Sequence, residues 1–188
     1  MSFELRTKRL ILRPMQQEDA QGMFALNQVP DVFQNTGDAP FNDIEEVNNL
    51  IRNYTQFEKY RMGRFSLIEI GSNEYVGWCG LKYQEENKEI DLGYRILPEF
   101  RNKGLAIEAS EKCLEYGFKN LSLEKIVGRA IKENTASIHI LKKLGFKFEK
   151  EFPGHGTICE QYIISNIEWK DRLNSENLHP QANTKQAS

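Results

Sequence analysis

The stretch from Leu92 to Ala106 carries the residues whose types and spacing best suit chemistry. It reads as a strand that leads into a helix through a short basic turn containing Gly104. At such a turn the first backbone N–H groups of the helix have no intrahelical acceptor, and the helix dipole adds positive potential. The pattern therefore predicts a cradle for an anion, and we expect a ligand that carries a diphosphate.

The turn does not match the two common nucleotide-binding loops. The chain has no Gly-Lys-Ser/Thr, so a hydroxyl that binds magnesium does not stand beside a lysine there. The dinucleotide fingerprint Gly-x-Gly-x-x-Gly is also missing. The motif Arg101-x-x-Gly104-x-Ala106 is a weak signal alone, because a basic turn that only caps a helix can have the same residues.

A second group of polar residues lies at the predicted start of a later helix, in Asn134-Thr-Ala-Ser137. Asn134 suits a helix cap, and its side chain also suits a bond to a ligand amide beside the preceding strand. Ser137 lies one turn further on, where a serine often only bonds a carbonyl or faces solvent. Lys142 and Lys143, at the end of the helix, are most simply solvated surface charges.

The predicted elements that position these residues alternate in type along the chain. Three consecutive strands precede a strand–helix–strand crossover, which implies a mixed sheet with helices packed on it, in the α/β (α+β) class. We expect one domain over 1–170 and a polar, flexible tail over 171–188. The predicted strands cover 10–13, 65–70, 75–81, 90–97, 125–130, 146–152 and 160–164, and the helices cover 18–27, 42–57, 105–118 and 134–144.

Composition and charge narrow the classes of function. The 188 residues are 39% hydrophobic and 28% charged, with a net charge of −2, so the chain is globular and lacks a broad nucleic-acid footprint. Its apolar runs are too short to cross a membrane, and its first residues lack the apolar core of a secretory signal. Three widely spaced cysteines fit a reducing cytoplasm. The three histidines have no ligand spacing, so no metal is expected.

Several motifs, taken in order, resemble one known family. The run from Ile90 to Ala109 resembles the acetyl-CoA-binding signature of the GNAT superfamily of N-acetyltransferases. The segment from Asn134 to Phe146, with its Leu-Gly-Phe ending, resembles the motif that follows in that family. The opening Leu5-Arg-Thr-Lys-Arg-Leu-Ile-Leu-Arg-Pro14 and the late Glu168-Trp169 resemble the RimJ/RimL-like branch, which acetylates N-termini of ribosomal proteins.

The resemblance implies a fold and a cofactor. The fold is a mixed, mostly antiparallel sheet of about seven strands with about four helices, and a V-shaped splay separates the fourth and fifth strands. Acetyl-CoA is the co-substrate, and its pantetheine arm pairs with the splayed strand as an added strand would. The resemblance assigns the pantetheine to Tyr94, Arg95, Ile96 and Asn134, with Lys142 and Lys143 nearby, and the diphosphate to the amides of Arg101, Asn102, Lys103, Gly104, Leu105 and Ala106.

The implied reaction is direct acetyl transfer from the thioester to a primary amine. Many relatives have a tyrosine acid seven residues after the asparagine, and this chain has Leu141 there. The resemblance to the RimJ/RimL-like branch implies a serine donor at the position of Ser137, which makes Ser137 the candidate that protonates the departing thiolate, directly or through water. Asp91 is the first candidate base, and its rivals are Glu69 and Glu160. For all three carboxylates, a solvated or ion-paired structural role is an equal alternative.

The sequence leaves the acceptor open between a protein N-terminus and a small amine. The near-neutral charge does not favour stable association with ribosomal RNA, and no membrane partner is expected. Because the usual tyrosine is missing, a non-catalytic sensor that only binds acyl-CoA stays as an alternative. An exposed late strand would allow either a monomer or a homodimer.

Overall fold

The computed structural model describes residues 3–32, 39–154 and 156–178, and these residues build one open, mixed sheet with helices on it. The eight strands have the order β1-β2-β3-β4-β5-β6-β8-β7. They are β1 (Leu5–Arg6), β2 (Leu10–Pro14), β3 (Arg64–Glu69), β4 (Tyr75–Gln84), β5 (Glu89–Ile96), β6 (Lys125–Ile131), β7 (Lys147–Gly154) and β8 (Thr157–Ser165).

The helices named below lie between the strands or after them. Their number is two more than the sequence predicts. The predicted helix over 42–57 is divided in two, and a last helix follows β8. They are α1 (Ala20–Asn27), α2 (Ile44–Asn53), α3 (Gln56–Tyr60), α4 (Leu105–Glu115), α5 (Thr135–Lys143) and α6 (Asn166–Leu178). None of the helices in the described ranges is long and apolar enough to span a membrane.

The sheet confirms the predicted fold class and the predicted splay. All neighbouring strands run antiparallel except β5 and β6, which are parallel. These two strands pair only at Asp91 with Val127 and at Leu92 with Gly128, although β5 continues to Ile96. Beyond Leu92 they therefore separate, and a V-shaped opening forms between the fourth and fifth predicted strands.

Helices α4 and α5 cover the face of the sheet that carries Cys79 and Gly128. Cys79 and Cys113 of α4 are both buried, with their sulfur atoms 3.8 Å apart. A Cβ at Gly128 would lie 2.4 Å from a methyl carbon of Leu141, so only glycine lets α5 approach β6 this closely. The position of α5 beside the opening thus depends on a missing side chain in β6.

A buried polar group joins α1 and the preceding turn to the opposite face. The carboxylate of Asp19, which is buried, accepts hydrogen bonds from both Nη atoms of Arg13, at 2.7 and 2.8 Å. It also accepts one from the Ser66 hydroxyl on β3, at 2.6 Å. Burying a carboxylate is unfavourable unless its oxygens are paired, and here they are. These hydrogen bonds therefore fix the turn before α1 to β2 and β3 on this side of the sheet.

Helix α6 begins with a reciprocal cap and extends past the predicted domain end at 170. The Glu168 N–H donates to the Ser165 hydroxyl, and Glu168 Oε2 accepts from the Ser165 N–H at 2.9 Å, which is a capping box. Trp169 is buried with its ring 5.3 Å from that of Phe118. Part of the predicted flexible tail, up to Leu178, is therefore helical, and the rest lies outside the described residues.

The capping carboxylate predicts a pH-dependent contribution to stability. The Lys147 ammonium 2.7 Å away, with the Ser165 N–H and hydroxyl, lowers the pKa of Glu168 to about 2 from 4.5. A lowered pKa in the folded state stabilises the protein above pH 4.5, and the contribution is lost as the pH falls toward 2. We expect Glu168→Gln to lower the free energy of unfolding at pH 7 by about 1 kcal/mol, as for a charge at a helix N-terminus.

Urea unfolding at a series of pH values measures this effect. The difference between Glu168→Gln and the parent should shrink below pH 4.5 and disappear near pH 2. Lys147→Gln is the matched variant, because it removes the ion pair and leaves the cap, and it should cost less at pH 7. An equal destabilisation by Glu168→Gln at neutral and acidic pH would contradict this assignment.

Candidate active site

A cleft of about 280 Å³ occupies the opening between β5 and β6. Strands β3 to β6 and helix α5 contribute most of its walls, so the crossover that follows β6 closes the cleft on one side. Five of the residues that the sequence singled out are brought together here. The lining residues used below are Arg64, Trp78, Asp91, Tyr94, Arg95, Arg129, Asn134, Ser137 and Leu141.

The backbone of β5 presents an unpaired edge to this cleft. The Leu97 N–H donates to the Val76 carbonyl on β4, at 2.9 Å. Because successive residues of an antiparallel strand direct their N–H and C=O groups to opposite sides, those of Tyr94 and Ile96 point toward β6. No strand in the described chain pairs with β5 there, and Arg101 Nε donates to the Ile96 carbonyl at 2.9 Å. Both groups of Tyr94 therefore remain for a ligand.

The side chain of Tyr94 has a structural role. Its hydroxyl donates to the backbone carbonyl of Ser137 at 3.0 Å, which ties β5 to the first turn of α5. Burial is the main cause that raises the pKa of Tyr94 far above its ordinary value, so the phenol stays protonated. The Ser137 N–H in turn donates to Asn134 Oδ1 at 3.1 Å, so Asn134 caps α5. These bonds hold Ser137 at the cleft wall.

Asp91 lies in a charge network at the floor of the cleft and is only 8% exposed. Arg64 binds its Oδ2 through Nη2 and its backbone carbonyl through Nη1, the latter at 2.9 Å. Arg129 Nη1 lies 3.8 Å from Asp91 Oδ1, while Nη2 of the same arginine binds Glu89. A Cβ at Gly93 would lie 2.6 to 2.9 Å from the guanidinium atoms of Arg64, so a glycine there lets the Arg64 guanidinium lie over β5.

The two rival carboxylates lie outside the cleft. Glu160 accepts a hydrogen bond from the Tyr162 hydroxyl at 2.6 Å, and Glu69 accepts one from Ser72 at 2.8 Å in a surface turn. Neither lines the opening between β5 and β6, whereas Asp91 does. Leu141, where many relatives have a tyrosine, is 1% exposed and packs over Gly128. Its side chain supplies no proton donor.

The basic turn before α4 has the backbone geometry of an anion cradle. Asn102 and Gly104 both have positive φ angles, of 61° and 76°. The Glu108 N–H donates to the Gly104 carbonyl, so the N–H groups of Leu105 and Ala106 precede the hydrogen-bond ladder of the helix. The Arg101 N–H, by contrast, donates to the Pro98 carbonyl at 3.2 Å. The cradle therefore begins at Asn102.

The side chain of Arg101 is also engaged elsewhere, and a different arginine lies beside the turn. Its guanidinium binds Ile96 and Asp31. Arg9, at the β1–β2 turn, donates to the Lys103 carbonyl at 2.8 Å and to Glu108 of α4 at 2.7 Å. Arg9 therefore supports the backbone of the cradle and adds a cation there that no sequence pattern predicted.

Lys142 and Lys143 are exposed and do not line the cleft. The Lys142 ammonium lies 5.9 Å from the centre of the Tyr162 ring. Across the three described ranges, no group of three or more His, Cys, Asp or Glu residues is arranged to hold a metal ion.

The sequence reasoning missed Arg64, Trp78 and Arg129 as lining residues. Arg129 had a detectable signal, because it interrupts the apolar strand Lys125–Ile131 with a charge. Arg64 and Trp78 gave none, since nothing in their local sequence marks them as neighbours of Asp91. The guanidinium groups of Arg64 and Arg95 both lie over the Trp78 ring, at 5.3 and 5.1 Å.

Comparison with known proteins identifies this arrangement. The family model described as "Acetyltransferase (GNAT) domain" matches residues 9–147, which is most of the chain. The chain belongs to the GNAT acetyltransferase family. It is an acyltransferase, and GNAT acetyltransferases use acetyl-CoA as the co-substrate. The resemblance to GNAT enzymes is thereby confirmed, and the RimJ/RimL-like branch stays a prediction.

Three relatives illustrate the similarity. An uncharacterized N-acetyltransferase, p20 from Bacillus licheniformis, is 33% identical over 77% of this chain and 83% of its own length. The spermidine N(1)-acetyltransferase of Escherichia coli (strain K12) is 30% identical over 80% of each chain. The crystal structure of a GNAT-family acetyltransferase from Bacillus anthracis superposes with a TM-score of 0.76 and 25% identity, over 88% of this chain and 99% of the other.

The cradle geometry predicts a selective effect of a side chain at Gly104. A Cβ there has only the Arg9 guanidinium, at 3.6 Å, within 4 Å, so Gly104→Ala fits sterically. It strains the backbone by about 1 kcal/mol and puts a methyl group where a phosphate would approach the amides. We expect coenzyme A to bind at least about tenfold more weakly, by calorimetry, because a charge-assisted hydrogen bond contributes about 1.5–3 kcal/mol.

Gly156→Ala is the matched control, since Gly156 has a similar φ of 73°, has nothing within 4 Å and lies in the β7–β8 turn. Both variants should lose similar stability, and only Gly104→Ala should lose affinity for coenzyme A. Unchanged affinity of Gly104→Ala for coenzyme A would show that the diphosphate does not bind at this turn.

Proposed function

We propose that this enzyme transfers the acetyl group of acetyl-CoA directly to a primary amine, either a protein N-terminus or a small molecule. One observation carries the proposal. The unpaired edge of β5 runs along a cleft that has Asp91 and Ser137 in its walls, and β5 leads at its carboxyl end toward the cradle over 102–106. This is the arrangement that a long diphosphate-bearing thioester would need.

The cofactor would lie along β5 as an added strand. Its pantetheine amides would pair with the N–H and C=O groups of Tyr94 and with the Ile96 N–H, with Arg95 in the same segment and Asn134 across the cleft. The diphosphate would accept hydrogen bonds from the amides of Asn102, Lys103, Gly104, Leu105 and Ala106. The resemblance adds Lys142 and Lys143, both exposed, as further sources of positive potential for the cofactor.

The reaction is a nucleophilic attack by the neutral amine on the thioester carbonyl. The new C–N bond forms, the C–S bond breaks, and the amine loses a proton while the sulfur gains one. A backbone N–H on the splayed strand that does not pair with the pantetheine would stabilise the developing oxyanion. The Ser137 hydroxyl, held at the wall by its backbone bonds to Tyr94 and Asn134, donates the proton to sulfur.

Asp91 takes the proton of the amine. It is the one carboxylate among the described lining residues, and Arg64 binds its Oδ2 while Oδ1 makes no hydrogen bond within those residues. A carboxylate fixed through one oxygen keeps the other for an incoming N–H. Its ion pairs with Arg64 and Arg129 also give Asp91 a structural role.

The branch and the acceptor are proposals that rest on different features. The opening motif supports a RimJ/RimL-like placement, although its residues have structural contacts: Thr7 and Arg9 bind Glu108, and Arg13 binds Asp19. The E. coli relative is named for spermidine, which supports a small amine as acceptor. A sensor without turnover fits less well, because the relatives are named as enzymes.

Thiol release from acetyl-CoA in the presence of a panel of primary amines tests the proposed activity, and Ser137→Ala tests the acid. We expect amine-dependent release in the parent and a kcat lower by about 10²-fold in Ser137→Ala. Thr135→Ala, an exposed position on the same turn, should leave kcat unchanged. Coenzyme A binding without release from any amine would favour the sensor, and unchanged turnover in Ser137→Ala would remove Ser137 from the mechanism.

Asp91→Asn tests the base. We expect kcat/KM to fall by about 10²-fold or more and the acidic limb of the pH–rate profile to flatten, because the asparagine amide accepts no proton. Glu69→Gln and Glu160→Gln, which alter carboxylates outside the cleft, should keep both the rate and the profile of the parent. An unchanged pH profile in Asp91→Asn would exclude Asp91 as the base.

A further inference from the structure

Arg129 and Asp91 present one donor and one acceptor side by side in the cleft. The distance between Arg129 Nη1 and Asp91 Oδ1 is 3.8 Å, which is too long for a hydrogen bond. Neither atom makes a hydrogen bond elsewhere within the described chain. Both residues line the cleft. A ligand in the cleft can therefore bind the donor and the acceptor at the same time.

The other atoms of both side chains are already held in place. Arg64 binds Asp91 Oδ2, while Gln161 accepts from Arg129 Nε at 2.7 Å and Glu89 binds Arg129 Nη2. The side chains of Arg129 and Asp91 are only 19% and 11% exposed, so they have little freedom to turn away. The pair is thus preorganised, which lowers the entropy cost of binding a matching ligand.

The charges of the described lining residues are unequal. Three guanidinium groups, those of Arg64, Arg95 and Arg129, line the cleft with a single carboxylate, that of Asp91. Glu89, the other carboxylate of the network, does not line it. One ammonium can bind at Asp91 Oδ1, and among the described lining residues there is no second carboxylate for another ammonium. A polyamine is therefore poorly matched to this wall.

We propose that the acceptor is an amine with a carboxylate on the same carbon, as in a free α-amino acid. Its amine would donate to Asp91 Oδ1, and its carboxylate would accept a charge-assisted hydrogen bond from Arg129 Nη1. The inference rests on the proposed acetyl transfer and specifies its acceptor, since the same Asp91 oxygen receives the proton of the amine. Arg129 would act as the residue that selects and orients the acceptor.

The first test compares matched acceptors with the unaltered enzyme, so it does not depend on the folding of a variant. Thiol release is measured with the proteinogenic amino acids, then with the amide and the decarboxylated amine of the most active one, and with spermidine. We expect kcat/KM for the amino acid to exceed that for the other three by at least about tenfold, because each lacks the carboxylate.

Equal or faster acetylation of spermidine or of the decarboxylated amine would overturn the proposal. An amide as good as the acid would also overturn it, since a peptide N-terminus would then be a better match than a free amino acid. These outcomes leave the acetyltransferase activity intact. Thiol release only with other amines of the broader panel would refute this inference and leave the proposed activity intact. Coenzyme A binding without thiol release from any amine of that panel would refute the proposed activity, and this inference with it.

Arg129→Gln provides the second test. We expect the KM for the amino acid to rise by at least about tenfold while the KM for acetyl-CoA stays unchanged, and the discrimination against the decarboxylated amine to be lost. Lys132→Gln, which removes a nearby cation that pairs with Glu151 outside the cleft, is the matched control and should keep parental values. An unchanged KM for the amino acid in Arg129→Gln would refute the role of Arg129.

Discussion

The parting of β5 and β6 after two paired residues is the constraint on which the rest of the site depends. A strand in the middle of a sheet normally pairs on both sides, but beyond Leu92 β5 pairs only with β4. The N–H and C=O groups of Tyr94 and the Ile96 N–H, which point toward β6, therefore have no partner strand in the described chain. The opening persists because α5 lies beside it, anchored by the Tyr94 hydroxyl on the Ser137 carbonyl and by the contact between Leu141 and Gly128. An added strand of ligand amides completes the ladder that the protein leaves open.

The charged residues at the floor of the cleft are better explained by the fixed position that they give the Asp91 carboxylate than by a gain in the stability of the fold. A largely buried ion pair repays its desolvation only when its geometry is good, and apolar replacements are often as stable. Arg64 nevertheless crosses β4 and lies over β5 to reach Asp91, and the chain has a glycine at 93 where any side chain would block it. A side chain held at one carboxylate oxygen leaves the other in a fixed place. The network therefore defines where a nitrogen atom can sit beside the unpaired edge of β5.

Local patterns predicted the parts of this structure that depend on neighbours in sequence. The strand-to-helix turn, the cap by Asn134 and the succession of strands and helices along the chain could be inferred because each depends on a few consecutive residues. The Arg64–Asp91 pair could not be inferred, since it joins β3 to β5 and depends on how both strands are aligned with β4 between them. The two-residue β1 and the helical continuation to Leu178 were also missed, because short or polar segments have weak periodicity.

Several signature residues have a structural contact that limits what they can offer a ligand. Asn134 Oδ1 caps α5, and the Arg101 guanidinium binds both Ile96 and Asp31. Because the Ile96 carbonyl is already bonded, a strand-like ligand can use both backbone groups of Tyr94 but only the N–H of Ile96. The positive potential of the turn then comes mainly from helix amides and from Lys103, with Arg9 behind it. In each of these residues, some atoms are used in contacts within the protein and others remain for the ligand. A contact within the protein therefore does not exclude a contact with the ligand.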